Sequence, residues 1–123
     1  MSEDTNAIVF SGVGKPLEEK NYPIMDNLDE NEAIVEISLS TVCGSDVHTW
    51  LGHRPFPTPC ILGHEMVGKI IKLGKNLTHD FLNNELSIGD RITWSMTASC
   101  GECYYCKIAN LPQKCVKLFK YGH

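Results

Sequence analysis

No apolar run in this sequence approaches the ~18 residues that a membrane-spanning helix needs. The first residues, MSEDTNAIVF, have neither the basic start nor the apolar middle of a secretory leader; they are acidic and polar. A cytoplasmic location without a membrane partner is therefore expected. Positive charge is also scarce. Eleven Lys and Arg stand against fifteen Asp and Glu, a formal net charge of −4. A nucleic-acid-binding face would be basic, so no nucleic-acid partner is expected. A G-x-G-x-x-G nucleotide fingerprint is missing too. Gly12-Val13-Gly14-Lys15-Pro16 has no third glycine, and Pro16 would disturb the helix that should follow. Repeats and low-complexity tracts are absent, which excludes solenoids and linkers.

What remains is 123 residues of ordinary globular balance, 42% hydrophobic and 21% charged, enough for one domain. Ala7 to Phe10 reads as a first strand, ended by Gly12, Gly14 and Pro16. The polar, proline-marked stretch from Asn21 to Asn31 reads as loop. From Glu32 to Leu39 apolar residues alternate (Ala33, Val35, Ile37, Leu39), the pattern of a half-buried strand. Ser45-Asp46 would cap a short helical turn through His48 and Trp50, and the prolines of Gly52 to Pro59 make an exposed loop. Met66 to Leu73 returns to strand character. Asn83-Asn84 marks a hairpin turn, and Arg91 to Met96 alternates again, with Ile92, Trp94 and Met96 on one face. Short strands between Gly and Pro breaks predict a mainly β fold, a small β-barrel with short helices. The sequon at Asn76-Leu77-Thr78 carries no meaning in a cytosolic chain.

The stretch from Thr41 to Gly68 holds one thiol, Cys43, and an imidazole with an adjacent carboxylate, His64-Glu65. Twenty residues separate Cys43 from His64, so only the fold can bring them together. Each lies beside a glycine, Gly44 or Gly63. Thiolate and neutral imidazole suit zinc, but two ligands do not close a tetrahedral site. A buried core thiol and a satisfied core histidine are the plain alternative. Cys60, four residues before His64, is either a third ligand or a small buried hydrophobe.

Cys100, Cys103, Cys106 and Cys115 read C-x2-C-x2-C-x8-C. Four thiolates so spaced wrap one tetrahedral ion, leaving no open position, which defines a structural site. The intervening GECYYCKIANLPQK has little apolar content, so metal binding must supply most of the ordering. Disulfides between cysteines so close together would be strained. A ferredoxin-type cluster would place its fourth cysteine sooner and before proline, whereas eight residues intervene here and Val116 follows. A zinc ribbon would want two separated CxxC knuckles. Tyr104 and Tyr105 have no basic cluster beside them, so they do not argue for stacking on bases.

CGSDVH (Cys43 to His48), ILGHEMVG (Ile61 to Gly68), GDR (Gly89 to Arg91) and the four-cysteine lobe, in that order, resemble the zinc-dependent medium-chain alcohol dehydrogenases. The likeness is to their GroES-like N-terminal catalytic domain and runs from about Ala33 to His123. The runs LPQKC and KYGH look most like the branch linked to phosphonate catabolism. The resemblance implies a domain over residues 1–123, incomplete, with the structural zinc lobe at about 97–116. Cys43 and His64 match two ligands of the catalytic zinc, the third being a cysteine beyond the lobe in that family. Alcohol dehydrogenase is itself a standard example of a Cys2His catalytic zinc. Glu65 matches a carboxylate near the metal, and Asp46 the acid that orients the ligand histidine. Ser45 and His48 match the pair that relays the substrate proton. Cys100, Cys103, Cys106 and Cys115 match the structural zinc ligands.

The implied whole enzyme oxidises a small alcohol to an aldehyde or ketone by hydride transfer to NAD or NADP, as a homodimer or homotetramer. Two features depart from the family. Eight residues separate the lobe's last two cysteines, one more than usual, so one bulged residue is expected near Asn110. The dinucleotide-binding domain is missing, so the chain is expected to be a fragment without turnover of its own. A free-standing zinc-stabilised GroES-like scaffold is the alternative, though such a scaffold has no need of Ser45, Asp46, His48 and Glu65. His53 and Trp50 are open between pocket wall and, respectively, solvent-exposed loop and core. His79 and His123 carry no signal.

Overall fold

The computed structural model describes residues 4–122. Strands β1 (Asp4–Val9) and β2 (Glu18–Pro23) pair as an antiparallel hairpin. Strands β3 (Ala33–Thr41), β4 (Glu65–Leu73) and β5 (Arg91–Thr93) form an antiparallel sheet in that order. Two-residue strands β6 (Thr97–Ala98) and β7 (Phe119–Lys120) pair as a third small sheet. Helix α1 (Gly44–Trp50) follows β3 after two residues, Val42 and Cys43. Helix α2 (Tyr104–Lys107) and a 3-10 turn at Pro112–Lys114 lie between the cysteines. The mainly β architecture expected from the sequence is therefore present, divided by its hydrogen bonding into three sheets.

The register of β3 on β4 positions the site. Ala33 opposes Leu73 and Thr41 opposes Glu65. Cys43, two residues past the end of β3, and His64, the residue just before β4, are thus brought side by side. The twenty residues between them leave and return as α1 and the exposed loop 51–59. Gly68 in β4 permits the close approach: a Cβ there would meet the Glu36 carbonyl at 2.7 Å and the Val35 side chain.

Several expectations need correction. The first strand begins at Asp4, not Ala7, and Phe10 lies beyond it in an isolated bridge to Cys60. Asn21 to Pro23 belong to β2, not to a loop. Every residue of β2 is exposed, so no buried face imposed an alternating pattern on it. β3 is not half-buried along its length. Bulges at Ile34/Val35 and Ile37/Leu39 break its alternation, and Ile37 and Leu39 are 51% and 63% exposed. β5 stops at Thr93, and Met96 is exposed. The hairpin at Asn83 holds: Asn83 takes φ 67, and Asp80 accepts from the backbone N–H groups of Leu82 and Asn84. The Asn84 backbone N–H is the chief reason the Asp80 carboxyl sits below its usual range.

The buried centre is small. Val9, Phe10 and Ile70 form its apolar part, and Asp46, Thr49 and His64 lie buried beside it. The chain's accessible surface is 9246 Å². A compact monomer of 13.7 kDa would expose about 6,600 Å². The excess includes large apolar side chains such as Leu17, Val42, Trp50 and Phe119.

Candidate metal centres

Cys43 is the N-cap of helix α1, its own backbone extended (φ −89, ψ 157). Asp46 is the clip of this region. Its Oδ2 accepts from the Cys43 backbone N–H at 2.9 Å, and its Oδ1 accepts from the Gly63 backbone N–H at 3.1 Å. One buried carboxylate thus ties the start of α1 to the residue before His64. The same Oδ1 lies 3.8 Å from His64 Nδ1, close enough to bias the ring's orientation. Gly63 needs its left-handed φ of 107, and Gly122 packs so closely on the Gly63 carbonyl that no side chain fits there.

The result is a set of three donor groups. A Cys43 sulfur, a His64 ring nitrogen and a Glu65 oxygen lie within 4.8 Å of one another. They border a cleft of 720 Å³ together with Ser45. Sulfur and nitrogen donors at this separation fit a zinc ion. Glu65 is exposed and also accepts a hydrogen bond from the Thr41 hydroxyl, whose partner role the sequence did not signal.

The relay residues are less closely joined. Ser45 lines the cleft, while the exposed His48 turns to His53, ring centroids 5.8 Å apart. Among the described residues no hydrogen bond joins the Ser45 hydroxyl to His48. Cys60 does not join Cys43 and His64 in the donor set. It is half-buried against Phe10, and burial pushes its thiol pKa up, as for a small hydrophobe. Trp50 lines a separate cavity of 280 Å³ with Ile8, Phe10 and Leu17, not the Cys43 cleft. His79 is engaged with the Thr78 hydroxyl at 2.9 Å, and His123 lies outside the described residues. Two further residues of the cleft escaped sequence reading, Arg54 and Lys120. One sits in the exposed loop after α1 and the other in a two-residue strand, where periodicity gives no signal.

The second centre is the cysteine lobe. The sulfurs of Cys100, Cys103, Cys106 and Cys115 all lie within 4.8 Å of one another. Cys103 and Cys106 are 3.6 Å apart, Cys100 and Cys106 3.9 Å. Zn–S bonds of ~2.3 Å at tetrahedral angles require a sulfur separation of about 3.8 Å. Disulfide sulfurs would be at about 2.05 Å. An iron–sulfur cluster would spread its thiolates over separate irons. The spacing fits one zinc. Asn110, where an extra residue was expected to be absorbed, takes a left-handed φ of 55.

Backbone N–H groups converge on these sulfurs. Cys100 N–H points to Cys115 Sγ at 3.2 Å and Cys103 N–H to Cys100 Sγ at 3.3 Å. Such donors favour thiolates. Cys103 is lowered to about 6, chiefly by the Val116 backbone N–H, and Cys115 is lowered chiefly by the Cys100 N–H. Cys106 is pushed up to about 11, chiefly by burial. Four sulfurs this close cannot all ionise without a cation among them.

Tyr104 and Tyr105 pack edge to face, 5.5 Å apart, on the exposed surface. Among the described residues no helix is long and apolar enough to cross a membrane.

These two centres, one closed and one with room beside it, agree with what the chain is similar to. It is 32% identical over 116 residues to the zinc-type alcohol dehydrogenase B of Aspergillus flavus, covering 94% of this chain and 25% of that protein. Among solved structures, an alcohol dehydrogenase from Thermotoga maritima matches with a TM-score of 0.81 at 37% identity, over 98% of this chain and 33% of that one. A zinc-binding dehydrogenase from Sinorhizobium meliloti, solved with NADP bound, matches with a TM-score of 0.72 at 27% identity, over 95% and 32% respectively. The chain thus spans a third or less of the length of these relatives. Residues 29–122 match the alcohol dehydrogenase GroES-like domain, and the chain belongs to that family.

Proposed function

We propose that this chain is the N-terminal part of the catalytic unit of a zinc-dependent alcohol dehydrogenase, which oxidises a small alcohol to an aldehyde or ketone with NAD or NADP. The observation that carries the reading is the convergence of Cys43, His64 and Glu65 beside a cleft, across twenty intervening residues. A metal-stabilised scaffold needs only the lobe.

In this reading Cys43 and His64 hold zinc, and a third protein ligand comes from outside these residues. Glu65 stands near it, restrained by Thr41. When bound there, zinc supplies Lewis acidity that lowers the pKa of an alcohol oxygen. The chain's own residues do the rest. Asp46 ties the Cys43 backbone to Gly63, the residue before His64, and sets its negative charge 3.8 Å from the His64 ring. Ser45, facing the cleft, receives the alcohol proton, and His48 on the next turn of α1 passes it to solvent. With no hydrogen bond joining them, this path needs a side-chain rotation or a bridging water. The lobe is the structural zinc site, and its thiolates take no part in the chemistry. A whole enzyme of this kind would be a homodimer or homotetramer, and these residues alone would not turn over.

Cobalt substitution tests the reading, because cobalt(II) in thiolate sites absorbs visibly. Two metals per chain are expected, one held tightly by the lobe and one weakly. Cys43→Ser should abolish only the weak site and leave the fold intact, whereas Cys106→Ser should disorder the lobe. A single metal per chain, unaffected by Cys43→Ser, would favour the scaffold.

A further inference from the structure

We propose that the alcohol taken by this cleft carries an anionic group, a carboxylate or phosphate, held by Arg54 and Lys120; this rests on the function proposed above. The chain as a whole is acidic, with a formal net charge of −4. The cleft beside Cys43 and His64 reverses that balance. Two basic side chains line it, Arg54 and Lys120, against one carboxylate, Glu65. Glu65 already accepts the Thr41 hydroxyl. Neither Arg54 nor Lys120 is held in an ion pair among the described residues; the pairs present use Lys20, Lys72 and His64.

The two cations come from separate parts of the chain, the loop after α1 and strand β7. The fold brings them to one cleft. Much of the remaining wall is apolar, including Leu39, Trp94 and Met96. Apolar walls around like charges focus their field and raise the local concentration of a counter-ion. A guanidinium also offers paired donors that match a carboxylate or phosphate. A neutral alcohol would gain only ordinary hydrogen bonds from these groups, without the charge pairing that strengthens their bonds to a carboxylate or phosphate. An anionic one is oriented by them, with its hydroxyl left to face the Cys43 and His64 side.

The same chemistry could belong to the phosphates of the dinucleotide, so the test separates the two. The zinc-loaded chain is titrated by calorimetry with glycerol, glycerol 3-phosphate and NAD. Glycerol 3-phosphate is expected to bind about tenfold more tightly than glycerol at low salt. That preference should shrink as the screening length falls from ~30 Å at 0.01 M to ~8 Å at 0.15 M ionic strength. Arg54→Gln should remove most of the preference, Lys120→Gln a smaller part, and Arg54→Lys should retain some of it. No preference for the phosphate ester, or one unchanged in both glutamine variants, overturns the proposal. So does an Arg54 dependence seen with NAD but not with glycerol 3-phosphate. Cobalt loading of the same samples is read separately. A chain that fills its second site yet shows no anion preference refutes this inference alone; one that never fills it refutes the catalytic reading beneath it.

Discussion

Replacing Asp46 by asparagine should damage the fold and the candidate catalytic centre together. The carboxylate is 4% exposed and receives two backbone N–H groups, from Cys43 at 2.9 Å and Gly63 at 3.1 Å. An amide of the same shape keeps one acceptor oxygen and turns an NH2 group towards the other donor. One buried N–H is then unsatisfied and faces another donor. Hydrogen bonds to a charged acceptor are worth about 1.5–3 kcal/mol each, and an orphaned buried donor costs a similar amount. A loss of about 2–3 kcal/mol follows, a large share of the ~5 kcal/mol expected at the low end for a small domain. Urea unfolding followed by tryptophan fluorescence should show the midpoint falling by about 1–2 M at m-values typical of small proteins. The metal should respond too, since losing the partner of a ligand histidine typically costs about 10–100-fold in affinity. Cobalt affinity of the Cys43–His64 site is therefore expected to fall while that of the lobe does not. An unchanged midpoint would refute the clip. A lowered midpoint with unchanged cobalt affinity would show that Asp46 braces α1 but does not orient His64.

Different parts of this molecule were legible for different reasons. The lobe was readable because its chemistry is local. Four cysteines within sixteen residues leave few ways to satisfy their sulfurs, and the structure places those sulfurs at zinc spacing. The other centre is non-local: the pairing of Cys43 with His64 was reachable only through the family likeness carried by CGSDVH and ILGHEMVG, and the fold realises it through β3 and β4. Their antiparallel register then forces Cys43 against His64. The likeness to a known family named Asp46 as the orienting acid, but its bonds to Cys43 and Gly63 depend on that register and were not foreseeable.

Where burial is thin, the signal fails. β2 has no inward face, so its second half, Asn21 to Pro23, looked like loop. The pattern of β3 promised a half-buried strand, but bulges shift its phase, and Ile37 and Leu39 emerge at the surface. Arg54 and Lys120 could not be paired from sequence at all. Nothing in an exposed loop and a two-residue strand encodes that they share a cleft; only the packing of separate sheets does.

Two further outcomes follow from the thiols and the glycines. At pH 7 zinc binding to the lobe should release at least one proton, because Cys106 is pushed up to about 11 and must ionise to bind. Affinity should therefore rise with pH above 7, and fall more steeply below about 6, where Cys103 also protonates. Calorimetry in buffers of differing ionisation enthalpy counts the protons, and a count of zero at pH 7 would contradict the assignment. Gly122→Ala is the sharper structural test. Gly122 and Gly14 share nearly the same left-handed backbone, φ 79 and 76, so alanine pays a similar conformational penalty at each. They differ in surroundings. A Cβ at Gly14 meets nothing within 4 Å, whereas at Gly122 it lands on the Gly63 carbonyl. That obstacle is backbone, not the end of a flexible side chain, so the segment carrying His64 must move. Gly122→Ala should cost about 1–3 kcal/mol more than Gly14→Ala in thermal or urea unfolding. Because Gly63 also donates to Asp46, the shift should weaken cobalt binding at Cys43 and His64 and spare the lobe. Equal losses from the two alanines would mean that the contact between Gly122 and Gly63 does not hold the ligand histidine in place.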